Sequence, residues 1–326
     1  MRIWQILGAL VVLVTGCAPA PGPPPPSELQ LDSGAPGQAA EALELASWRE
    51  ILAAEGAVPE NQQVGTLALE LIELLRSPNP EIRDDIATTL LDNWILRQKT
   101  LTGGDLRALL GPLSSALEGG EAASGEATNG EATREEPAHG RSFSALALSM
   151  VVRRDTELGF LSPEEISSLV VASGRYAASE SDLRGRVEGE GWVHAAAHTA
   201  DLLAALASHP AVGEEQAKVL LTAVSDLCVR RHGFILHHGE DARLAEPVLR
   251  LVKRGFVGTE LFESWIDTLL APLMERGQGG FDAPLYAAQR NARNLLFTLH
   301  TRLALVESPS PEQESALAIL TAALRG

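Results

Sequence analysis

Apolar residues recur every three or four positions along most of the chain, which is the periodicity of amphipathic helices. In residues 63–77, for example, Leu67, Leu71, Leu74 and Leu75 fall on one helix face. No stretch shows the strict alternation of a half-buried strand. The predicted helices cover residues 40–54, 63–77, 77–98, 104–117, 141–154, 163–178, 192–208, 213–230, 240–254, 257–275, 282–304 and 311–324.

Short connections between these helices favour antiparallel neighbours, so we expect an all-α fold. Residues 79–91 and 239–255 resemble units of HEAT-type helical repeats, because a charged residue opens an Ala/Leu-rich helix in each. The predicted architecture is an irregular HEAT-like α-solenoid or an α/α layered structure, with a compact helical bundle as the alternative. The low aromatic content of 4% agrees with a fold that lacks large sheets.

One segment interrupts the helical pattern. Residues 118–140 repeat Gly-Glu-Ala and contain almost no large apolar side chain. Such a composition does not bury enough surface to offset the entropy of ordering. We therefore predict a single helical domain over residues 41–326 that is interrupted by a disordered acidic loop.

The N-terminus has the features of a signal peptide. Arg2 precedes an apolar run over residues 3–14, which is shorter than the roughly 20 residues of a spanning helix. The run ends in Val-Thr-Gly-Cys, which resembles the lipobox of bacterial lipoproteins. This resemblance implies a signal peptide over residues 1–16, removed to leave a lipidated Cys17 as the first mature residue.

Residues 17–40 are rich in Pro and Gly, and we expect them to form a tether from Cys17 to the domain. Ala18, rather than aspartate, follows the cysteine, and in Gram-negative lipoproteins this implies sorting to the outer membrane, facing the periplasm. The second cysteine, Cys228, then has no intrachain partner and is predicted to be a small buried apolar residue.

The formal net charge of −17 limits the possible partners. A chain this acidic, without a basic stripe, repels phosphate backbones, so we expect no binding to nucleic acid. It also gives no electrostatic attraction to anionic lipid. The expected membrane attachment is therefore the N-terminal lipid.

Candidate chemistry is concentrated in residues 191–201, GWVHAAAHTAD. On a helix from residue 192, the side chains of His194, His198 and Asp201 fall within about 60° of one another. The other faces carry only Ala, Thr and Leu, so this helix is predicted to be buried. Its polar stripe then needs hydrogen-bond partners or a cavity.

Two neighbouring segments add further polar groups. The glycine-rich loop over residues 181–192 permits an irregular approach to the helix and is expected to bring Arg184, Glu188 and Trp192 near the stripe. Downstream, Glu240 and Asp241 open a predicted helix.

This combination resembles a bacterial family of uncharacterised proteins, domain of unknown function family 2785. The resemblance spans roughly residues 65–305 and implies a helical fold, but no established activity, substrate or cofactor. The matching positions are Arg184, Gly185, Glu188, Gly191, Trp192, His194, His198 and Asp201, with Glu240, Asp241, Arg243, Arg83, Asp84, residues 141–148, Asn291 and Asn294 as further family positions.

Two enzymatic hypotheses follow from these residues. In the first, His194, His198 and Asp201, with Glu240 or Asp241, bind a divalent zinc, manganese or iron ion that assists hydrolysis. His237 and His238 are alternative ligands, although such a pair is more often an exposed loop. In the second, His198 is an acid–base catalyst oriented by Asp201, with Arg184 as an anion-binding group and Glu188 as a further catalytic candidate.

The third hypothesis is structural. His194, His198, Asp201, Arg184 and Glu188 would form a closed network that holds the glycine-rich loop on the core. The protein would then be a lipid-anchored scaffold that binds another envelope protein or a peptide. The sequence favours this third hypothesis without deciding whether a reaction is catalysed, because motifs such as a nucleophile elbow or a phosphate-binding loop are missing.

Three smaller groups of residues are predicted to have structural roles. Trp94 and Trp265 lie among Leu and Ile and are predicted core residues. Asn291 is expected to form hydrogen bonds between helices. Arg83 and Asp84 are expected to form a charge cluster that stabilises a repeat.

Overall fold

The computed structural model describes residues 36–118, 138–275 and 280–325, with side chains from Leu45 onward. These residues are largely helical, which confirms the all-α prediction. Residues Leu45–Gly326 form one compact unit. The helices are α1 Pro36–Ala53, α2 Val64–Leu74, α3 Thr89–Asp92, α4 Gly103–Glu118, α5 Ala138–Leu158, α6 Pro163–Ser179, α7 Ala195–Ser208, α8 Glu214–Val229, α9 Glu240–Lys253, α10 Thr259–Met274, α11 Ala283–Ala304 and α12 Pro311–Arg325.

Two π-helical segments flank α3, π1 at Glu81–Thr88 and π2 at Asn93–Arg97. A two-stranded antiparallel hairpin precedes α7 and consists of β1, Arg186–Val187, and β2, Gly191–Trp192. The sequence pattern gave no sign of this hairpin, because strands of two residues carry no periodicity.

From α4 onward the helices alternate between two layers. One layer contains α5, α7, α9 and α11 side by side, and the other contains α4, α6, α8 and α10. Successive helices pack across the layers, α4 on α5, α6 on α7, α8 on α9 and α10 on α11. This is the α/α layered arrangement that the short connections predict.

Helix α7 lies at the centre of its layer, between α5 and α9. From Ala195 to Ala207 every side chain except that of Asp201 is buried, as the Ala- and Leu-rich sequence predicts. Small alanine side chains let neighbouring helices approach closely. The hydroxyl of Thr199 donates a hydrogen bond to the carbonyl of Ala195. Any further polar group on α7 must find its partners inside the protein.

Several predicted boundaries need correction. Helix α1 begins at Pro36, so the end of the predicted tether is helical, and α5 begins at Ala138, inside the predicted acidic loop. Helix α7 begins at Ala195 rather than at residue 192, because the hairpin occupies the intervening positions. Cys17, the signal segment and residues 119–137 lie outside the described residues.

The predicted core residues are confirmed. Trp94 and Trp265 are buried, and each donates its indole N–H to a backbone carbonyl, of Gly56 and Leu221 respectively. Cys228 is buried and unpaired, and burial raises the pKa of its thiol. No helix in the described ranges is long and apolar enough to cross a bilayer.

Candidate functional site

The hairpin joins α7 through backbone hydrogen bonds. The N–H of His194 donates to the carbonyl of Arg184 at 2.9 Å, and that of Val193 donates to Gly185 at 3.0 Å. His194 is the N-cap of α7 in the left-handed conformation, with φ of 51°. It is therefore not part of the helical stripe that the spacing predicts, and its ring direction is set by the hairpin.

Gly191 is required where the hairpin meets π1. Its φ is +78°, and an added Cβ would come within 2.9 Å of atoms of Pro80, Arg83 and Asp84. A side chain at this position would therefore be both strained and obstructed. The glycine lets β2 lie directly against π1, where the N–H of Trp192 approaches a carboxylate oxygen of Asp84 at 3.4 Å.

Arg83 is the main link between π1 and the hairpin. It is fully buried, and its guanidinium donates to Asp84 Oδ1, to the carbonyl of Ser77 and to the carbonyl of Glu190 at 2.7–2.8 Å. The guanidinium also lies 5.0 Å from the centre of the Phe143 ring. The predicted local charge cluster is therefore a contact between distant parts of the chain.

His198 forms a buried hydrogen-bond chain with α5. The hydroxyl of Ser142 lies 2.5 Å from the carbonyl oxygen of Val193 and 2.9 Å from Nδ1 of His198. Because the carbonyl only accepts, the hydroxyl proton points to Val193, and Nδ1 of His198 must donate. Burial holds the pKa of His198 well below its ordinary value, so the ring is neutral near pH 7.

His194 is enclosed by aromatic and acidic neighbours. Its ring stacks on Trp192 with centroids 4.4 Å apart and lies 5.6 Å from the ring of His198. Its Nε2 atom is buried without a well-formed hydrogen bond, since Glu240 Oε1 is 3.4 Å away. The two histidines are therefore brought together as predicted, each more than nine-tenths buried.

Glu240 is buried at the start of α9 and ties the preceding loop to the hairpin. Its Oε2 atom accepts the N–H of His238 at 2.6 Å. Burial alone would raise the pKa of Glu240, but the His194 imidazole and the backbone N–H groups hold it below its ordinary value. The half-buried His238 packs on Gly185, while His237 is exposed. Of the two adjacent histidines, His238 therefore lies beside His194 and Glu240, and His237 does not.

The two aspartates of the predicted metal site point elsewhere. Asp201 accepts a hydrogen bond from Arg243 at 2.8 Å, and Asp241 accepts one from Thr298 at 2.6 Å. Burial raises the pKa of Asp201, with Arg243 opposing it. Among the described residues, no group of three or more His, Cys, Asp or Glu side chains has the geometry to hold a metal ion. The sequence-predicted ligands His194, His198, Asp201, Glu240 and Asp241 therefore do not converge on one point.

The side chains of Arg184 and Glu188 do not lie near the histidines, where the sequence predicts them. The Arg184 side chain is paired with Asp182 and Glu190 on the surface, and these carboxylates raise its pKa. Only its backbone carbonyl takes part in the network, through His194. Glu188 is exposed in the hairpin turn. The expectation that both side chains lie against the histidines is therefore wrong.

Two participants were missed by sequence reasoning or assigned to the wrong partner. Ser142 lies within the family positions 141–148, but as a small polar residue in an apolar helix it gave no sign of its contact with His198. Asn291 is buried, but its amide binds the backbone of Phe234 and Leu236 rather than another helix. It thereby fixes the loop that leads to His238 and Glu240.

Together these contacts define a layered all-α domain in which a hairpin is held against π1, α5 and α9 by buried polar contacts. The chain belongs to the family described as Protein of unknown function (DUF2785), whose model matches residues 131–301, more than half of the chain. Arg83 and Asp84 lie outside the matched range, although they contact the hairpin inside it. No curated protein and no solved structure matches the chain.

Proposed function

We propose that the protein is a lipid-anchored helical binding protein of the bacterial envelope. In this proposal Cys17 carries the lipid, residues 18–35 span the distance to the helical unit, and a groove between α4 and α6 takes a peptide segment of another envelope protein. The N-terminal sequence VTGC supports the anchor. The groove supports the binding function and is the observation on which the proposal rests.

The groove consists of three adjacent cavities of about 370, 480 and 160 Å³ along the contact of α4 and α6. Glu118 and Ala172 line all three, so the cavities form one continuous depression. Concave, mostly apolar surfaces of this kind are where proteins bind ligands. The other lining residues are Leu110, Gly111, Ser114, Leu117, Glu164, Glu165, Ser167, Ser168, Leu169, Val171, Arg175, Tyr176 and Ser179.

The charges and polar groups of the groove indicate the occupant. Among the described residues, the side chains of Glu118 and Glu164 have no ion-pair partner, whereas Arg175 is the single lining arginine. Tyr176 is buried at one end of the groove, and its hydroxyl has no well-formed hydrogen bond. Burial raises the pKa of Tyr176, and the nearby carboxylate of Glu180 raises it further. A peptide with apolar and basic side chains complements this surface.

Two synthetic nonapeptides with the same leucines, one with lysines and the other with glutamates between them, test the groove. We expect the lysine peptide to bind roughly tenfold more tightly in fluorescence anisotropy, because its charge is opposite to that of the rim. Ala172→Trp should remove binding by filling the groove, with little change in melting temperature. Ala178→Trp, on the exposed side of the same helix, is the matched control. Equal binding of the two peptides, or unchanged binding by Ala172→Trp, would contradict the groove.

Intact-mass measurement of protein purified from a Gram-negative host tests the anchor separately. We expect a chain that begins at Cys17 with the added mass of a diacylglycerol and acyl chain. Cys17→Ser should carry no lipid, because serine lacks the thiol that accepts it, and should retain residues 1–16. A wild-type chain cleaved elsewhere and free of lipid would disprove the anchor while leaving the groove intact.

Metal-dependent hydrolysis needs about three protein ligands around an open position. Asp201 and Asp241 are bound to Arg243 and Thr298 instead. Glu240 accepts the N–H of His238 and lies 3.4 Å from His194, but no third ligand joins them among the described residues. The geometry of the described residues thus gives this alternative no support, and it stays a sequence-based prediction.

A further inference from the structure

A row of exposed aromatic and basic side chains runs along the outer face of α11. Tyr286, Arg290, Arg293 and Phe297 follow one another at spacings of four, three and four residues, so they lie on the same face. All four are exposed. Solvent-facing helix surfaces usually carry mixed charges, so a face with only aromatic and positive groups is unusual for this acidic chain.

The two arginines are available to an outside partner. Among the described residues, neither Arg290 nor Arg293 forms an ion pair or a side-chain hydrogen bond, although the chain has 43 acidic residues against 26 basic ones. With Leu273, Tyr286 and Gln289 they line a cavity of about 230 Å³. Two guanidinium groups beside one cavity favour an anion, and phosphate oxygens match their geometry.

Two strongly exposed apolar side chains lie next to residues that line this cavity, since Met274 follows Leu273 and Phe281 contacts Tyr286. Met274 at the end of α10 is 82% exposed, and Phe281 just before α11 is 79% exposed, the highest values among the large apolar residues of the described part. The ring of Phe281 lies 5.5 Å from that of Tyr286, which connects it to the arginines. Side chains this exposed protrude rather than line a groove, so they suit insertion into a soft apolar medium.

The nearby acids do not cancel the positive charge. Glu275 and Asp282 flank the same region, and both pair with Arg231. Counting these three residues with Arg290 and Arg293 gives three positive groups against two negative ones. The region is thus locally positive on a chain of net charge −17.

We propose that Met274, Phe281, Tyr286, Arg290 and Arg293, here called the α11 patch, dock the domain on an anionic phospholipid surface. The arginines would bind lipid phosphates, and the two protruding apolar side chains would enter the boundary between headgroups and acyl chains. An acidic protein could satisfy the arginines, but it would need a matching pocket for each protruding side chain, whereas a bilayer accepts them without one. This contact does not depend on the lipid at Cys17.

Vesicle co-sedimentation of the chain from residue 18 onward tests the patch, since this chain keeps every described residue and lacks the lipidated cysteine. We expect binding to vesicles of phosphatidylethanolamine and phosphatidylglycerol, little binding to phosphatidylcholine, and weakening by salt. Arg290→Gln with Arg293→Gln should reduce the partition coefficient about 25-fold at low salt, or about fivefold per arginine. Met274→Ser with Phe281→Ser should reduce it by about tenfold or more.

Matched controls separate the patch from general charge and hydrophobicity. Arg186→Gln with Arg325→Gln makes the same charge change at other exposed positions, and Leu158→Ser removes an exposed apolar side chain elsewhere. Losses confined to the patch variants would support the proposal. The proposal would be overturned if the chain did not bind vesicles, or if the control variants lost as much binding as the patch variants. It would also be overturned if the chain bound inorganic phosphate while Met274→Ser with Phe281→Ser left vesicle binding unchanged.

Discussion

Arg83→Met should lower the free energy of unfolding by about 3–5 kcal/mol, the range for breaking a buried ion pair by removal of one partner. The substitution removes all three guanidinium hydrogen bonds and leaves the carboxylate of Asp84 and the carbonyls of Ser77 and Glu190 without them. Methionine fills much of the space, so the loss arises from unsatisfied polar groups rather than from a cavity. Urea unfolding followed by circular dichroism measures it.

Arg83→Lys is the second variant, in case the methionine variant does not fold. Lysine keeps the charge but cannot direct hydrogen bonds in three fixed directions, so an intermediate loss is expected. Arg49→Met removes an arginine that pairs with Glu81 at the surface, and its effect should be small because both side chains are about half exposed to solvent. If Arg83→Met and Arg49→Met had equal small effects, Arg83 would not be an essential link.

The second large effect concerns His198 and pH. Burial lowers its folded-state pKa well below its ordinary value near 6.5. The unfolded chain therefore binds more protons than the folded chain as the pH falls below about 6.5, and the free energy of unfolding falls with it. Each such histidine contributes a slope of at most about 1.4 kcal/mol per pH unit. The stability of the wild-type protein should thus decrease from pH 7 to pH 5.

His198→Asn identifies the contribution of this residue. Asparagine places an N–H donor near the position of Nδ1, so the contact with Ser142 can persist while the titrating group is removed. The variant should be roughly 2 kcal/mol less stable at pH 7 because the ring no longer fills its site, but its decline between pH 7 and pH 5 should be shallower. His237→Asn makes the same exchange at an exposed position as a control.

Other titratable groups determine how the stability of His198→Asn still depends on pH. Burial also lowers the pKa of His139 and His232, so part of the decline should persist in His198→Asn. Burial raises the pKa of Asp201 and Asp226, which acts in the opposite direction, because the folded chain takes up these protons at a pH above the value near 4 at which an unfolded aspartate titrates. If the wild type and His198→Asn had parallel pH profiles, the buried neutral imidazole would be disproved.

Much of the fold follows from the sequence because helix periodicity is a local property. The buried character of α7 could be predicted from its run of alanines and leucines, and Trp94 and Trp265 from their apolar neighbours. The layering also follows, because short connections restrict which helices pack together.

The arrangement of the site could not be predicted, because it depends on long-range contacts that residue spacing along the chain does not indicate. Treating His194 as helical placed it in one stripe with His198 and Asp201, but the hairpin turns it into a left-handed N-cap that faces Glu240. Asp201 binds Arg243 on another helix. Arg83 reaches Glu190 across 107 positions of the chain, a pairing that no local pattern shows.

The buried polar contacts of Arg83 and of the two histidines hold the hairpin on the core. Hydrogen–deuterium exchange of the Arg83→Lys variant, read out by mass spectrometry on the backbone amides of residues 185–194, tests it most directly. We expect faster exchange in this segment than in the wild type, with α8 and α10 nearly unchanged. Unchanged hairpin protection in a variant shown to have lost the Arg83 contacts would contradict it.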